Sequence, residues 1–184
     1  MTEAPTPTSA SRIPVPTGAT LPAATTAALV LDLTSHGPAA PERVSYLERV
    51  GNWLDYAREK GLPICYTGIS LRMTEDADPL LRRRSDEPLW YPAAYDKFYG
   101  GEIVEFLTNH KTENIVILGS ATNNCVMYTA TTAARHHAYE IYVPIDGSYV
   151  EDPYRHEYAL YQLSILPSAP KKVQFTTLDT TTFI

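Results

Sequence analysis

Three side chains in this sequence have chemistry that could be combined, and they fall near the ends of apolar runs or in polar loops. Asp32 closes the run Leu29-Val30-Leu31, where a purely structural strand would place another apolar residue. A carboxylate at such a position is costly to bury without partners; it either caps a turn with Thr34 or Ser35 or serves a site. Cys125 follows the small-residue turn Gly119-Ser120-Ala121-Thr122, at the start of a helical pattern. With Thr122 as N-cap, Cys125 is the third helical residue, among backbone N–H groups that lack an intrahelical partner, at the positive end of the helix dipole. That setting lowers a thiol pKa, and the same N–H groups can hold an oxyanion, so one turn offers a nucleophile and its stabiliser. Taken alone, the position also suits an inert core cysteine, the reading given to Cys65 in Leu62-Pro63-Ile64-Cys65-Tyr66. Lys97 is an ordinary solvated loop lysine unless it shares a site with Asp32 and Cys125, where its ammonium would favour their charged forms.

The elements that must position these residues alternate between strand and helix patterns. Ala27 to Leu33 is a continuous apolar run suited to a strand buried on both faces. Val44, Leu47, Val50 and Leu54 recur at helical spacing from Pro41 until Gly61. A strand over 62–69, a helix over 101–111, a strand over 114–118, a helix over 122–137, a strand over 140–145, a helix over 152–163 and a strand over 172–177 complete the pattern. The segment 71–99 is too long for an ordinary connection and is expected to carry short helices and to wall a site. This order predicts an α/β fold: a three-layer, Rossmann-like open sheet of mostly parallel strands with helices on both faces. Ligands in such sheets bind beyond the carboxyl ends of the strands, where Asp32 and the Cys125 turn lie.

Composition narrows the function classes. The 184 residues carry 21 acidic and 15 basic side chains, a formal charge of -6, which lacks the basic footprint of a nucleic-acid binder. Two cysteines cannot build a disulfide framework, and no apolar stretch approaches a membrane span, so a soluble, cytoplasmic chain without a secretory signal is expected. Residues 1–24, rich in Pro, Thr and Ala with only Glu3 and Arg12 charged, read as an extended arm preceding a single domain over 25–184. The arm is either a mobile tail or a strap across a neighbouring subunit.

Together these pieces resemble the isochorismatase-like cysteine hydrolases, the superfamily of nicotinamidases, N-carbamoylsarcosine amidohydrolase and ureidoacrylate amidohydrolases. The resemblance runs from about Ala27 to the C-terminus, and its most specific part is Gly119-Ser120-Ala121-Thr122-Asn123-Asn124-Cys125-Val126. It implies an Asp32, Lys97 and Cys125 triad, an oxyanion hole of the Ala121 and Cys125 N–H groups, and a cis peptide bond between Ser120 and Ala121. Lys97 is displaced from the family's usual lysine spacing, which marks a divergent branch, but it is the only lysine in its region.

The implied activity is cleavage of a C–N bond in a small amide, carbamoyl or ureido compound, through a Cys125 thioester and without a cofactor. Vinyl ether hydrolysis dependent on Asp32, or a non-catalytic binding member of the same fold, are the alternatives. Trp90, Tyr91, Tyr95 and Phe98 gather around Lys97 and could wall the substrate pocket. No metal is expected: His36, His110, His136, His137 and His156 do not show the closely spaced arrangement of a nicotinamidase metal site, and His136 and His137 end a helix. Tyr149, Tyr154, Tyr158 and Tyr161, with the habit of the superfamily, favour a homo-oligomer, a dimer or tetramer.

Overall fold

The computed structural model describes residues 12–35, 40–137, 139–167 and 173–184. Its strands are β1 (Ala19–Leu21), β2 (Thr26–Leu31), β3 (Ile64–Thr67), β4 (Leu89–Trp90), β5 (Asn114–Ser120), β6 (Glu140–Pro144), β7 (Ser148–Tyr149), β8 (Val173–Thr176) and β9 (Thr181–Phe183). Its α-helices are α1 (Pro41–Glu59), α2 (Glu102–Asn109), α3 (Met127–Arg135) and α4 (Pro153–Ser164). The main sheet runs β4-β3-β2-β5-β6-β8 with β7 paired to the end of β5, and every one of these pairings is parallel.

Alternation along the strands divides the core into two layers. Ala28, Val30, Ile64, Tyr66, Val116 and Leu118 face α1, where they meet Leu47, Val50, Trp53 and Leu54. Ala27, Leu29, Leu31, Ile115, Ile117 and Ile141 face the other way, against Ile103 and Leu107 of α2, Ala130 and Ala133 of α3 and Leu160 of α4. All six residues of β2 are buried, as a strand covered on both faces requires. The predicted three-layer open sheet is the observed fold.

The chain enters the sheet at β2, builds outward through β3 and β4, then returns to place β5 on the other side of β2 and continues to β6 and β8. The order therefore reverses between β2 and β5, which is where a doubly wound sheet opens a crevice at its carboxyl edge. Asp32 lies one residue beyond β2, and Ala121 one residue beyond β5.

Several short elements carry too little pattern to be read from sequence. β4 and β7 have two residues each, and β1 pairs in parallel with β9 as a separate small sheet. Of the expected arm, residues 1–11 lie outside the described residues. From Thr17 the chain runs along its own C-terminal segment, with the Thr17 N–H donating to Phe175 O at 2.8 Å and the Ala23 N–H to Ile184 O at 2.9 Å. Leu21 is buried with Trp53 and Phe183, so this stretch is part of the domain's core rather than separate from it. Within 71–99 the helical content is limited to single 3-10 turns, at Pro79–Leu81 and just before, at Ser70–Arg72. A buried two-pronged ion pair ties the segment to α1: Arg58 Nε lies 2.7 Å from Glu87 Oε1, and its terminal nitrogen 3.0 Å from Oε2.

The four tyrosines of β7 and α4 have separate surroundings. Tyr149 stacks on Tyr46 at 5.1 Å and Tyr161 lies beneath the Arg12 guanidinium at 5.3 Å, while Tyr154 and Tyr158 stack on each other at 6.3 Å on the surface. No helix among the described residues is long and apolar enough to cross a membrane.

Gly119 shows how closely the central strands approach. Its φ is +148°, and a Cβ there would collide with the carbonyl oxygen and side chain of Leu31, its neighbour in β2. Gly119→Ala is expected to lower unfolding stability by about 2 kcal/mol or more in denaturant titration, because neither strand can withdraw from a buried sheet.

Candidate active site

The crevice brings Asp32, Lys97 and Cys125 onto a single oxygen. Cys125 Sγ–H donates to Asp32 Oδ2 at 2.8 Å, and Lys97 Nζ lies 2.9 Å from the same atom. The Lys97 and Asp32 side chains are only 3% and 7% exposed, so the ion pair is largely shielded from water. Oδ1 accepts from the Thr67 hydroxyl at 2.8 Å, and the Asp32 backbone N–H donates to Thr67 O at 2.9 Å. The carboxylate thus has a partner for each oxygen, as a buried charge needs. Asp32 adopts a left-handed φ of +53°, which an aspartate tolerates better than most side chains.

Each group reaches the site from a different element. Lys97 comes from the loop between β4 and α2, and α3 holds that loop in place. The Lys97 backbone N–H donates to Thr129 Oγ1 at 3.1 Å, while Asp96 accepts from the Phe98 N–H at 3.0 Å and from the Thr132 hydroxyl at 2.7 Å. Cys125 comes from a turn that differs from the expected helix start. The Ser120–Ala121 peptide bond is cis, Ala121 is extended, and Thr122–Val126 form one π-helical turn that leads into α3. Thr122 does not cap this turn; its hydroxyl lies 2.9 Å from His156 Nδ1 on α4. The Thr122 side chain is fully buried, and its hydroxyl is engaged by α4 instead of the N–H groups of the turn.

The thiol also departs from expectation. Burial, followed by the Asp32 carboxylate, pushes the Cys125 pKa up to about 12, against the opposing effects of Lys97 and a backbone hydrogen bond from Ala121. The partial charges of a helix start are outweighed by burial and, after it, by a full negative charge in contact with the sulfur. Release of the proton to water is therefore unfavourable, whereas its transfer to Asp32 leaves the net charge of the cluster unchanged. Cys65, on β3, is fully surrounded by the core, and burial alone pushes its thiol up.

The cluster forms the floor of a pocket of about 770 Å³. Ser120, Ala121 and Asn124 adjoin it, Ile69, Ser70 and Leu71 form one wall, and Pro92 to Tyr95 another. Of the four aromatic residues expected there, Tyr95 lines the pocket. Trp90 instead packs edge-on against Phe106 at 5.8 Å, the Tyr91 hydroxyl donates to Glu75 O at 2.6 Å, and Phe98 is buried under His137. The short β4 directs Trp90 into the helix layer and so removes it from the crevice. Arg43 of α1 also reaches the pocket, held by Asp78 at 3.2 Å and by Thr34 O at 3.0 Å. Sequence reading passed over both Arg43 and Thr67. The signal for Thr67 was its place at the carboxyl end of β3, in register with Leu31.

Among the described residues no three His, Cys, Asp or Glu side chains gather as a metal site, and His36 lies outside those residues. His136 forms the C-cap of α3, and His137 stacks on Phe98 at 4.6 Å.

A family model described as an isochorismatase domain matches residues 26–177. The chain belongs to the isochorismatase-like hydrolase family. An isochorismatase-like hydrolase from Alkaliphilus metalliredigens is 23% identical, with a TM-score of 0.70 over 84% of this chain and 96% of that one. N-carbamoylsarcosine amidase from Thermoplasma acidophilum is 21% identical, with a TM-score of 0.67 over 84% and 97%. An isochorismatase family protein from Burkholderia thailandensis is 19% identical, with a TM-score of 0.75 over 90% and 97%. At these identities the structural likeness establishes the fold and makes this chain a divergent member. Among curated proteins none matches it.

The raised thiol pKa has a stability consequence. An unfolded thiol titrates near about 8.5, and the folded Cys125 near about 12. The stability that the protonated thiol contributes is therefore present in full below the lower value and is lost as pH rises toward the upper one. Thermal unfolding from pH 7 to 11 is expected to show a smaller alkaline fall for Cys125→Ser than for the native chain. Cys65, Tyr46 and Tyr66, whose pKa values burial also raises, sustain the fall that remains.

Proposed function

We propose that the chain hydrolyses a C–N bond of a small amide, carbamoyl or ureido substrate, with Asp32, Lys97 and Cys125 as its catalytic residues. The observation that carries this reading is the single Asp32 oxygen in contact with both the Cys125 thiol and the Lys97 ammonium at the floor of a pocket. Asp32 takes the thiol proton, and the sulfur attacks the substrate carbonyl carbon. The N–H groups of Ala121 and Cys125 hold the resulting oxyanion. Asp32 returns the proton to the departing nitrogen, which leaves as ammonia or an amine, and a thioester remains. Asp32 then takes a proton from water, the hydroxide displaces sulfur so that the acyl group leaves as its acid, and Asp32 gives the proton back to the sulfur, which restores the thiol.

Lys97 has a defined part in this cycle. With its ammonium on Asp32, the cluster remains compensated whether the proton is on sulfur or on the carboxylate. The pocket wall from Pro92 to Tyr95 and the mostly small or apolar residues opposite suit a compact substrate. The N-carbamoylsarcosine amidase among the similar structures, a C–N hydrolase by its name, supports the reaction class.

Ammonia or amine release from a panel of small amides, carbamoyl compounds and ureido acids tests the reading. Cys125→Ala is expected to lose at least about 10³-fold in turnover, and Lys97→Ala about 10²-fold. A vinyl ether whose hydrolysis survives Cys125→Ala but not Asp32→Asn, beside a silent amide panel, would select vinyl ether hydrolysis instead. Turnover unaffected by either substitution would remove this site from the function.

A further inference from the structure

We propose that His156 is a positioning residue for the Cys125 turn, holding it through the Thr122 hydroxyl; this rests on the reading of Cys125 as the nucleophile. Thr122 opens the turn and directly follows Ala121, so whatever fixes Thr122 fixes the N–H of Ala121 and the sulfur three residues on. Its side chain is fully buried, and a buried hydroxyl must place its proton on an acceptor. His156 Nδ1 lies 2.9 Å from Thr122 Oγ1, across from the turn on α4. The hydroxyl proton needs an acceptor, and the tautomer that carries its proton on Nε2 leaves Nδ1 to accept from Thr122.

The surroundings make this link a brace between elements. Asp152 caps α4 by accepting from the Tyr154 N–H at 2.9 Å, which fixes the first turn of the helix, and His156 is in that turn. On the opposite side of the turn, the Tyr46 hydroxyl on α1 lies 3.3 Å from Gly119 O and 3.0 Å from Gly147 O. The segment from Gly119 to Cys125 is thereby held between α1 and α4. Burial lowers the His156 pKa, which keeps the ring neutral and able to accept at neutral pH. Loss of the acceptor would leave the Thr122 hydroxyl orphaned in the core, and the turn would relax at the point from which Cys125 is aimed at Asp32.

Alkylation of Cys125 by iodoacetamide, followed by mass spectrometry of the full-length chain at pH 7.5, reads the position of the thiol without a substrate. His156→Ala and Thr122→Val are each expected to slow alkylation about fivefold, the effect of one buried hydrogen bond. The double variant is expected to be no slower than the slower single variant, because both remove one link. His156→Asn, whose Oδ1 stands where Nδ1 does, is expected to restore the native rate. Thr122→Val is close in shape to the native residue and carries the test even where His156→Ala folds poorly, with unfolding temperatures measured in parallel. Native or faster alkylation in Thr122→Val, or no rescue by His156→Asn in a chain of native unfolding temperature, would overturn the assignment. A silent amide panel alongside the expected alkylation pattern would count against the proposed reaction and leave His156 in its role.

Discussion

The structure at the crevice depends on how one buried carboxylate is neutralised. Asp32 follows the most deeply buried strand of the sheet, in a place where an unpartnered charge would cost several kcal/mol. Lys97, Cys125 and Thr67 meet that requirement together, and they come from three different elements. The carboxylate therefore acts as an assembly point for a wall loop, the turn after β5 and the end of β3. Because the thiol donates to a charge that the ammonium already compensates, proton transfer from sulfur to Asp32 needs no exchange with water. A raised pKa for release to solvent is compatible with a nucleophile under this arrangement, since the two processes differ in net charge.

The fold supplies the crevice through one close contact. Gly119 lets β5 approach β2 at the register where Leu31 precedes Asp32, so the two strand ends lie side by side. A larger residue would separate them at the point where the sulfur and carboxylate must meet. Beyond Gly119 the chain leaves the sheet through a cis peptide and a π-helical turn rather than a helix capped by Thr122, and side chains from α1 and α4 hold Gly119 and Thr122.

What could be read from sequence divides along the same physical lines. Strands buried on both faces and helices with a long apolar stripe have strong local patterns, and for that reason β2, α1, β5 and α4 were legible with nearly their observed limits. Asp32 stood out as a charge at the end of an apolar run and Cys125 as a thiol at a helix start, and each alone had a structural reading as well, so their combination carried the inference. Two-residue strands such as β4 and β7 have no period to detect, and Leu21 gave no sign that it packs against Trp53 and Phe183, a contact formed only after the C-terminus folds back. The aromatic cluster around Lys97 misled for a similar reason. Neighbours in sequence take alternate directions from a short strand and loop, so Tyr95 faces the pocket while Trp90 and Phe98 face the core. The rise in the Cys125 pKa was hidden because it depends first on burial by the folded chain and then on Asp32, 93 residues distant in sequence.

The position of Lys97 follows from how its loop is held. The Lys97 loop is fixed from behind by α3, through Thr129 to the Lys97 N–H and Thr132 to Asp96, and because α3 continues directly from the Cys125 turn, lysine and cysteine share one support. What the site demands of the lysine is that its ammonium reach Asp32 Oδ2, and a flexible four-carbon stem can do so from more than one backbone position. Its register relative to Phe98 is consequently a weak constraint, while the anchoring of the loop to α3 is a strong one. Divergence in the spacing of the loop can then accumulate without moving the charge, provided that the Asp96 and Thr129 contacts continue to set where the loop meets α3.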